Sequence, residues 1–291
     1  PKNIDQVTCL IVNGAECEPY ITSDHRAMLE NAEDIIKGCQ MIMKYVGLEK
    51  GYIAIEENKM DAIQHIDNVL AAKGIKNIET FKLQARYPKG AERVLVYEIL
   101  GKVMNAGVLP ADMGCILDNV TTVACVGKYF TTGMPLVEKR VTVDGDAVAV
   151  PKNVLAPIGT QICDIVEFCG GYAKEPRKIV MGGLMMGRAI PTDEMAIVKN
   201  TSALLNFSQA KAETKPETAC INCGRCATAC PVSLVPTALA TAYENRDAQA
   251  LKDLGVMQCM NCGSCSYICP AHRPLAFMHS MGKIVLKEAG I

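Results

Sequence analysis

Two cysteine runs constrain this chain more than any other feature. The first, "CINCGRCATACP", places Cys220, Cys223, Cys226 and Cys230 at the spacing C-x2-C-x2-C-x3-C and closes on Pro231. The second places Cys259, Cys262, Cys265 and Cys269 at the same spacing and closes on Pro270. Counterparts lie 39 positions apart (259 − 220 and 269 − 230), so one supersecondary unit is present twice. Three thiolates at intervals of three wrap the corners of an iron–sulfur cubane in a tight turn, while the fourth, before the proline, ligates the other cluster. The expected sets are therefore Cys220, Cys223, Cys226 with Cys269, and Cys259, Cys262, Cys265 with Cys230. Zinc is the alternative. Its sites use paired C-x2-C knuckles with four ligands each, and eight cysteines satisfy two zincs by count. The third C-x2 interval and the C-P ending, both present twice, favour two [4Fe–4S] clusters. Cys9, Cys39, Cys115, Cys125, Cys163 and Cys169 lack ligand spacing and read as buried small hydrophobes.

The rest of the composition narrows the function classes. With 291 residues, 49% of them hydrophobic, the chain can build a sizeable core and more than one domain. Thirty basic residues against 31 acidic give a net charge of −1, which removes the electrostatic case for nucleic acid as a partner. No apolar run approaches the roughly 18 to 20 residues of a membrane span, and Pro1-Lys2-Asn3 does not resemble a signal peptide. Fifteen cysteines without a secretory signal point to metal binding in a reducing compartment rather than to disulfides.

Up to about Phe130 strands and helices alternate. "VTCLIVNG" (Val7 to Gly14) is a continuous apolar run, the mark of a strand buried on both faces. Ser23 is a candidate cap for one long helix whose apolar stripe runs Met28, Ala32, Ile35, Cys39, Ile42 and Val46, with Gly47 as its stop. "YIAIEE" is a second strand, and Ile63, Ile66 and Leu70 mark a helix that Gly74 closes. "IETFKL" is a third strand, and a further helix runs from Glu92 to Gly101. Such alternation implies a parallel α/β sheet.

From about Thr131 to Asn200 the pattern changes to short alternating runs round "VDGDAV", as in small antiparallel β structure. "GGLMMG" (Gly182 to Gly187) lacks the Lys-Ser/Thr of a P-loop and the spacing of a dinucleotide fingerprint, so it reads as a tight β-turn with buried methionines. From Thr201 onward the chain reads as helices ("ALLNFSQAKA", "LVPTALATAYENRDAQALKDLG", "PLAFMHSMGKIVLKEAG") set round the cysteines.

Clusters carry single electrons, so a two-electron donor or acceptor needs a converter, of which flavin is the usual one. "VNGAECEPYIT" puts a small, acidic turn at the carboxyl end of the first strand, where ligands of open α/β sheets bind. Asn13 can hydrogen-bond a ring or a ribose, Gly14 and Ala15 permit close approach, and Glu16 and Glu18 supply acceptors. A bland loop holding a solvated acid pair is the other reading.

"NGAECEPYITSDHR", "YPKGAERVLV", "DNVTTV" and the cysteine runs ending "CSYICPAHRP" together resemble the C subunit of the Rnf electron-transport complex, an ion-translocating ferredoxin:NAD oxidoreductase. Its flavin domain is related to that of the 51-kDa NADH-binding subunit of respiratory complex I. The resemblance covers nearly the whole chain and implies three modules. Residues 1–130 would form a Rossmann-like domain for FMN and NADH, residues 131–200 a soluble-ligand-binding β-grasp module, and residues 201–291 an α-helical ferredoxin domain with two [4Fe–4S] clusters. It implies a flavin site built from Asn13, Glu16 and Glu18, from Lys89, Gly90 and Glu92, and from Asn119, Thr121 and Thr122. Read without the family, "YPKGAE" is a helix start with Glu92 favourably near the helix N-terminus.

The sequence departs from the complex I pattern in two places. Ala15 stands where N-A-D-E-x-E-P has aspartate, and Ala91 where G-E-E has its first glutamate, so contacts to the dinucleotide are expected to be weaker than those to the flavin. The family's "GGAGFPT"-type loop lies just upstream of the first strand. This chain begins at Pro1, about where that loop would end, and no such stretch occurs in it, as in a shortened chain, a split protein or a homologue that has lost part of the site.

The resemblance implies electron transfer between NAD(H), FMN and the two clusters, peripherally on the cytoplasmic face of a bacterial membrane. The partners would be the other subunits, including the ion pump, and ferredoxin through a partner subunit. No side chain is required as general acid or base, and His25, His65, His272 and His279 read as structural. The related cobalamin reductase of bacterial microcompartments, which shares the three-part layout, and a flavin-free two-cluster carrier are the alternative functions; a zinc-stabilised scaffold is a third.

Overall fold

The computed structural model describes residues 4–290, which form two compact bodies. One comprises residues up to Met104 together with Val108–Ala212; the other comprises Glu213 onward together with Asn105–Gly107.

The first body holds two sheets. Strands β1 (Cys9–Asn13), β2 (Lys50–Glu56), β3 (Ile78–Leu83) and β4 (Cys115–Asn119) are all parallel, in the order β3-β2-β1-β4. The chain steps outward from β1 to β3 and then returns to the far side of β1 as β4. The strand order thus reverses between β1 and β4, and that switch point opens a crevice at their carboxyl ends. The helices are α1 (Ser23–Glu30), α2 (Ala32–Val46), α3 (Met60–Ala72), α4 (Glu92–Leu100) and α5 (Val120–Thr132). Leu10 and Val12 of β1 pack with Ile35, Ile66 and Val123 on one face of the sheet. Cys9 and Ile11 pack with Val96 of α4 on the other. Both faces are covered, as the apolar run from Val7 requires.

The stripe from Met28 to Val46 belongs to two helices, not one. The chain leaves helical geometry at Asn31 (φ −122°, ψ 26°) before α2 begins at Ala32. Ser23 is the first residue of α1 rather than its cap. Helices α2 and α5 meet backbone to backbone: a Cβ on Gly38 would lie 2.0 Å from the Val123 carbonyl oxygen, and one on Gly127 would lie 1.9 Å from that of Asp34.

The second sheet runs β6-β5-β9-β7-β8, from β5 (Glu138–Asp144), β6 (Lys152–Pro157), β7 (Lys178–Met181), β8 (Arg188–Ile190) and β9 (Ala203–Phe207). Only β5 and β9 pair in parallel. Helix α6 (Ile162–Phe168) packs Ile162, Ile165 and Val166 against Val141, Val143 and Leu204. The expectation of helix across "ALLNFSQAKA" is overturned: Ala203–Phe207 is an entirely buried strand between β5 and β7, and only Gln209–Ala212 is helical (α7). The methionines of "GGLMMG" are also not buried. Met185 is half-buried and Met186 exposed, because the loop turns its side chains outward and its amides inward.

The second body carries α8 (Arg225–Thr228), α9 (Pro236–Glu244), α10 (Ala248–Asp253), α11 (Ser264–Tyr267) and α12 (Leu275–Glu288). The 39-residue offset reappears in its backbone. α8 and α11 start at counterpart positions, as do α9 and α12. The left-handed residues Asn222 (φ 54°) and Ser233 (φ 55°) recur as Asn261 (φ 55°) and His272 (φ 52°). Leu239 and Leu251 pack with Val285 and Leu286 to form the core of this body. No described helix is long and apolar enough to cross a membrane.

Candidate functional site

At the switch point Asn13 and Asn119 are register partners, the last residues of β1 and β4. Asn13 Nδ2 donates to the Gly90 carbonyl oxygen (2.9 Å), and its Oδ1 accepts from the Ala15 amide (3.1 Å). The turn after β1 is thereby tied to the loop after β3. A Cβ on Gly90 would lie 2.8 Å from the Ala15 carbonyl oxygen, so only glycine lets the two segments touch. Asn119 caps α5, its Oδ1 accepting from the Thr121 amide (2.9 Å) and hydroxyl (2.6 Å), while its Nδ2 donates to Asp24 (2.7 Å). Lys139 of β5 donates to Thr121 Oγ1 (2.9 Å). The three segments singled out in the sequence thus join one hydrogen-bonded network at one end of the sheet.

The acidic residues of the turn are engaged inside the protein. Glu16 is buried and caps α1: its carboxylate accepts from the amides of Asp24 (2.7 Å) and His25 (3.1 Å) and from the Ser23 hydroxyl (3.4 Å). Burial, reinforced by the neighbouring Asp24 charge, lifts it to about 7. Asp24 is also raised, chiefly by burial, with the Asn119 hydrogen bond opposing. Glu18 reaches the "GGLMMG" loop, where the Met185 (2.8 Å) and Met186 (3.0 Å) amides bind its two oxygens. Lys89 pairs with Glu98, Glu92 is exposed as the first residue of α4, and Thr122 is exposed on α5. His25 pairs with Asp61 (2.9 Å).

Sequence reasoning missed a buried pair behind the turn. Lys59 donates to Glu56 (2.8 Å) and to the Glu16 carbonyl oxygen (3.2 Å), and both side chains are almost fully enclosed. The signal was there, since "EENK" ends β2 at the same edge of the sheet as Asn13. A cleft of about 150 Å³ lies beside the start of α5, lined by Thr121, Thr122, Lys139, Arg140 and Lys199 among others.

A flavin monophosphate fits this donor set. The first-turn amides of α5 and the Lys139 ammonium suit a phosphate. Each asparagine amide keeps a second proton beyond its bond to Gly90 or Asp24, which suits a ring carbonyl or ribityl hydroxyl.

The second body carries the cysteines. One cavity is lined by Cys230, Cys259, Cys262 and Cys265, and another by Cys220, Cys223, Cys226 and Cys269. Each contains three thiols from one run and the fourth from the other. The thiols surround two small volumes, as the four corners of a cubane require. The left-handed asparagines aim backbone amides at sulfur: Asn222 at Cys220 Sγ and Asn261 at Cys259 Sγ, both 3.4 Å. The Leu234 amide adds a third such bond, to Cys230 Sγ (3.3 Å). Burial pushes the Cys265 thiol up to about 12 and raises Cys259 in the same cavity. His279 is buried, its Nε2 proton held by the Pro236 carbonyl oxygen (3.0 Å) and its Nδ1 3.5 Å from Cys259 Sγ. Of the seven remaining cysteines, Cys9, Cys39, Cys115 and Cys169 are buried as expected, and Cys17, in the turn after β1, is half-buried. Cys125, which lines the cleft beside α5, and Cys163 are only half-buried.

Comparison with known proteins agrees with this division. Residues 1–128 match the Nuo51 FMN-binding domain, residues 140–189 the SLBB domain, and residues 213–270 a 4Fe-4S dicluster domain. The chain is 40% identical over 240 residues to the C subunit of the proton-translocating ferredoxin:NAD(+) oxidoreductase complex of Clostridium ljungdahlii, covering 82% of this chain and 52% of that protein. It is 39% identical over 283 residues to the C subunit of the ion-translocating oxidoreductase complex of Rhodobacter capsulatus, covering 96% and 54%. The chain thus spans about half the length of the curated relatives it matches. An NAD+-reducing [NiFe]-hydrogenase in the H2-reduced state shares the fold, with a TM-score of 0.62 at 15% identity over 99% of this chain and 55% of that one.

Proposed function

We infer that this chain, a homologue of the C subunits of ion-translocating ferredoxin:NAD(+) oxidoreductase complexes, is the electron-transfer portion of such a subunit, moving electrons between NAD(H), FMN and two [4Fe–4S] clusters. The observation that carries this reading is the crossed sharing of thiols, three from one repeat and one from the other in each cavity.

When bound, the flavin supplies the exchange between two-electron hydride chemistry and single electrons. The chain supplies placement. Asn13 and Gly90 hold the strand-end turn against the loop after β3, Asn119 and Thr121 present the α5 N-terminus, and Lys139 brings a cation to it. Glu16 and Glu18 act one step back: the first fixes α1, and the second fixes the loop from Gly182 to Gly187. Cys220, Cys223, Cys226 and Cys269 hold one cluster, and Cys259, Cys262, Cys265 and Cys230 the other. No side chain serves as a general acid or base. The partners are the other subunits of a membrane electron-transport complex, with ferredoxin engaged through one of them and this chain peripheral on the cytoplasmic face. Ion translocation belongs to those partners.

Anaerobic purification of the full-length protein tests the reading. It should be brown, contain iron and acid-labile sulfide, and release FMN on acid treatment. Zinc in place of iron and sulfide would refute it, and iron–sulfur without flavin would reduce it to a two-cluster carrier.

A further inference from the structure

The surroundings of the two thiol-lined cavities differ in charge. Reducing a four-thiolate cluster by one electron adds one negative charge to its cavity, and a buried site penalises that charge unless a cation or amide dipole offsets it. The cavity of Cys220, Cys223, Cys226 and Cys269 is open to water at Cys223, which is exposed. Its lining includes Arg273, whose guanidinium is ion-paired to Glu217 (2.9 Å) and Glu244 and so contributes little net charge. The other cavity has both Cys262 and Cys265 buried and gets little help from solvent. There Lys283 of α12 donates to the carbonyl oxygen of Cys259 (2.6 Å), and among the described residues no carboxylate pairs with it. The Asn261 and Leu234 amides point at sulfurs of the same cavity. His279 is fixed by its Nε2 proton on Pro236.

We propose that Lys283 is the residue that keeps the buried cluster reducible: its uncompensated ammonium, held against the backbone of Cys259, raises that cluster's reduction potential and leaves the other cluster unaffected. The inference rests on the reading of both cavities as cluster sites. Lys283 ligates nothing and touches no reacting atom; it acts through the field at Cys259. A lysine there is more than a helix-solubilising residue, because its side chain is half-buried and turned to the ligand carbonyl. The arrangement also gives the two cavities separate controls, Lys283 for one and the Arg273 carboxylate pair for the other.

The test is a dithionite titration of the full-length protein followed by electron paramagnetic resonance, with Cys223→Ser used to remove one cluster and so assign the signals. Lys283→Met should lower the reduced-to-oxidised ratio of the Cys259 cluster at fixed potential by about tenfold, as loss of a nearby charge in a half-buried setting implies, and leave the other cluster's midpoint unmoved. Lys283→Arg should restore the ratio. Glu217→Gln with Glu244→Gln should shift only the other cluster, upward, by freeing the Arg273 charge. Iron and sulfide content must stay at the level of the unmodified protein in every variant compared. If both clusters assemble and Lys283→Met moves neither midpoint, or moves both equally, the proposal is wrong. If no cluster signal forms in the unmodified protein, the reading of the cavities fails first, and the two failures are distinct.

Discussion

Glu18 offers a perturbation whose size can be worked from the structure. Its carboxylate accepts two amide hydrogen bonds from Met185 and Met186, at 2.8 and 3.0 Å, and is half-buried. A Cβ on Gly183 would lie 2.3 Å from Glu18 Cδ and 2.5 Å from its Oε2. That glycine has no positive φ, so the obstruction is steric and not conformational. Gly183→Ala therefore expels the carboxylate from the loop, and Glu18→Ala removes it outright. Charge-assisted bonds of this kind are worth about 1.5–3 kcal/mol each, so either change should cost the loop about 3 kcal/mol once partial solvent access is allowed for. Because one interaction is lost in both cases, the double variant should cost about the same as either single one. Hydrogen–deuterium exchange read on peptides covering residues 182–187 reports this locally. At tenfold per 1.4 kcal/mol, exchange should speed about 100-fold in each single variant and not appreciably further in the double. Fully additive acceleration, or protection unchanged in Glu18→Ala, would show that the carboxylate does not anchor the loop.

Other expectations concern the same body. Gly38→Ala puts a methyl 2.0 Å from the Val123 carbonyl, so α2 and α5 must part; overpacking of this kind costs about 1–3 kcal/mol, or several degrees in the melting temperature followed by circular dichroism. Glu16 is lifted by burial from 4.5 to about 7, so the folded protein keeps a proton that the unfolded chain has released. Its contribution to stability is full below about 4.5 and is lost as pH rises through about 7, a span worth roughly 3 kcal/mol to which the raised Asp24 adds in the same sense. Urea midpoints measured from pH 4.5 to 8 should fall accordingly in the native protein and be flatter in Glu16→Gln; a flat native profile would refute the burial argument.

How much of this was legible depended on whether the deciding contact was local. Strands β1 and β2 show as apolar runs because each is largely buried on both faces, whereas β3 lies at the sheet edge with Glu79 and Lys82 exposed. The break at Asn31 does not show, since the apolar stripe continues across it from Met28 to Ala32 and Ile35. "ALLNFSQAKA" is rich in helix formers, yet pairing with β5 and β7 on either side decides its first half. Neither β4 nor α5 shows as an element in the sequence, although "DNVTTV", which joins them, stands out as a motif. At the site, residue types at the strand end marked the place, because parallel sheets bind ligands there. What those side chains hold was not legible. Glu18 meets amides 167 and 168 positions away, and Glu16 turns back onto α1. The crossing of Cys230 and Cys269 was expected from spacing within a repeat, and the two cavities group the thiols in the same way.

The most direct test of the account is iron and sulfide analysis across paired cysteine variants of the full-length protein. Two clusters of four iron each give about eight iron and eight sulfide per chain in the unmodified protein. Cys269→Ser and Cys223→Ser should each lower this by half, and the two together should lower it no further. Cys269→Ser combined with Cys262→Ser should abolish it. If Cys269→Ser is instead redundant with Cys262→Ser and additive with Cys223→Ser, each run keeps its own cluster and the crossed assignment is wrong.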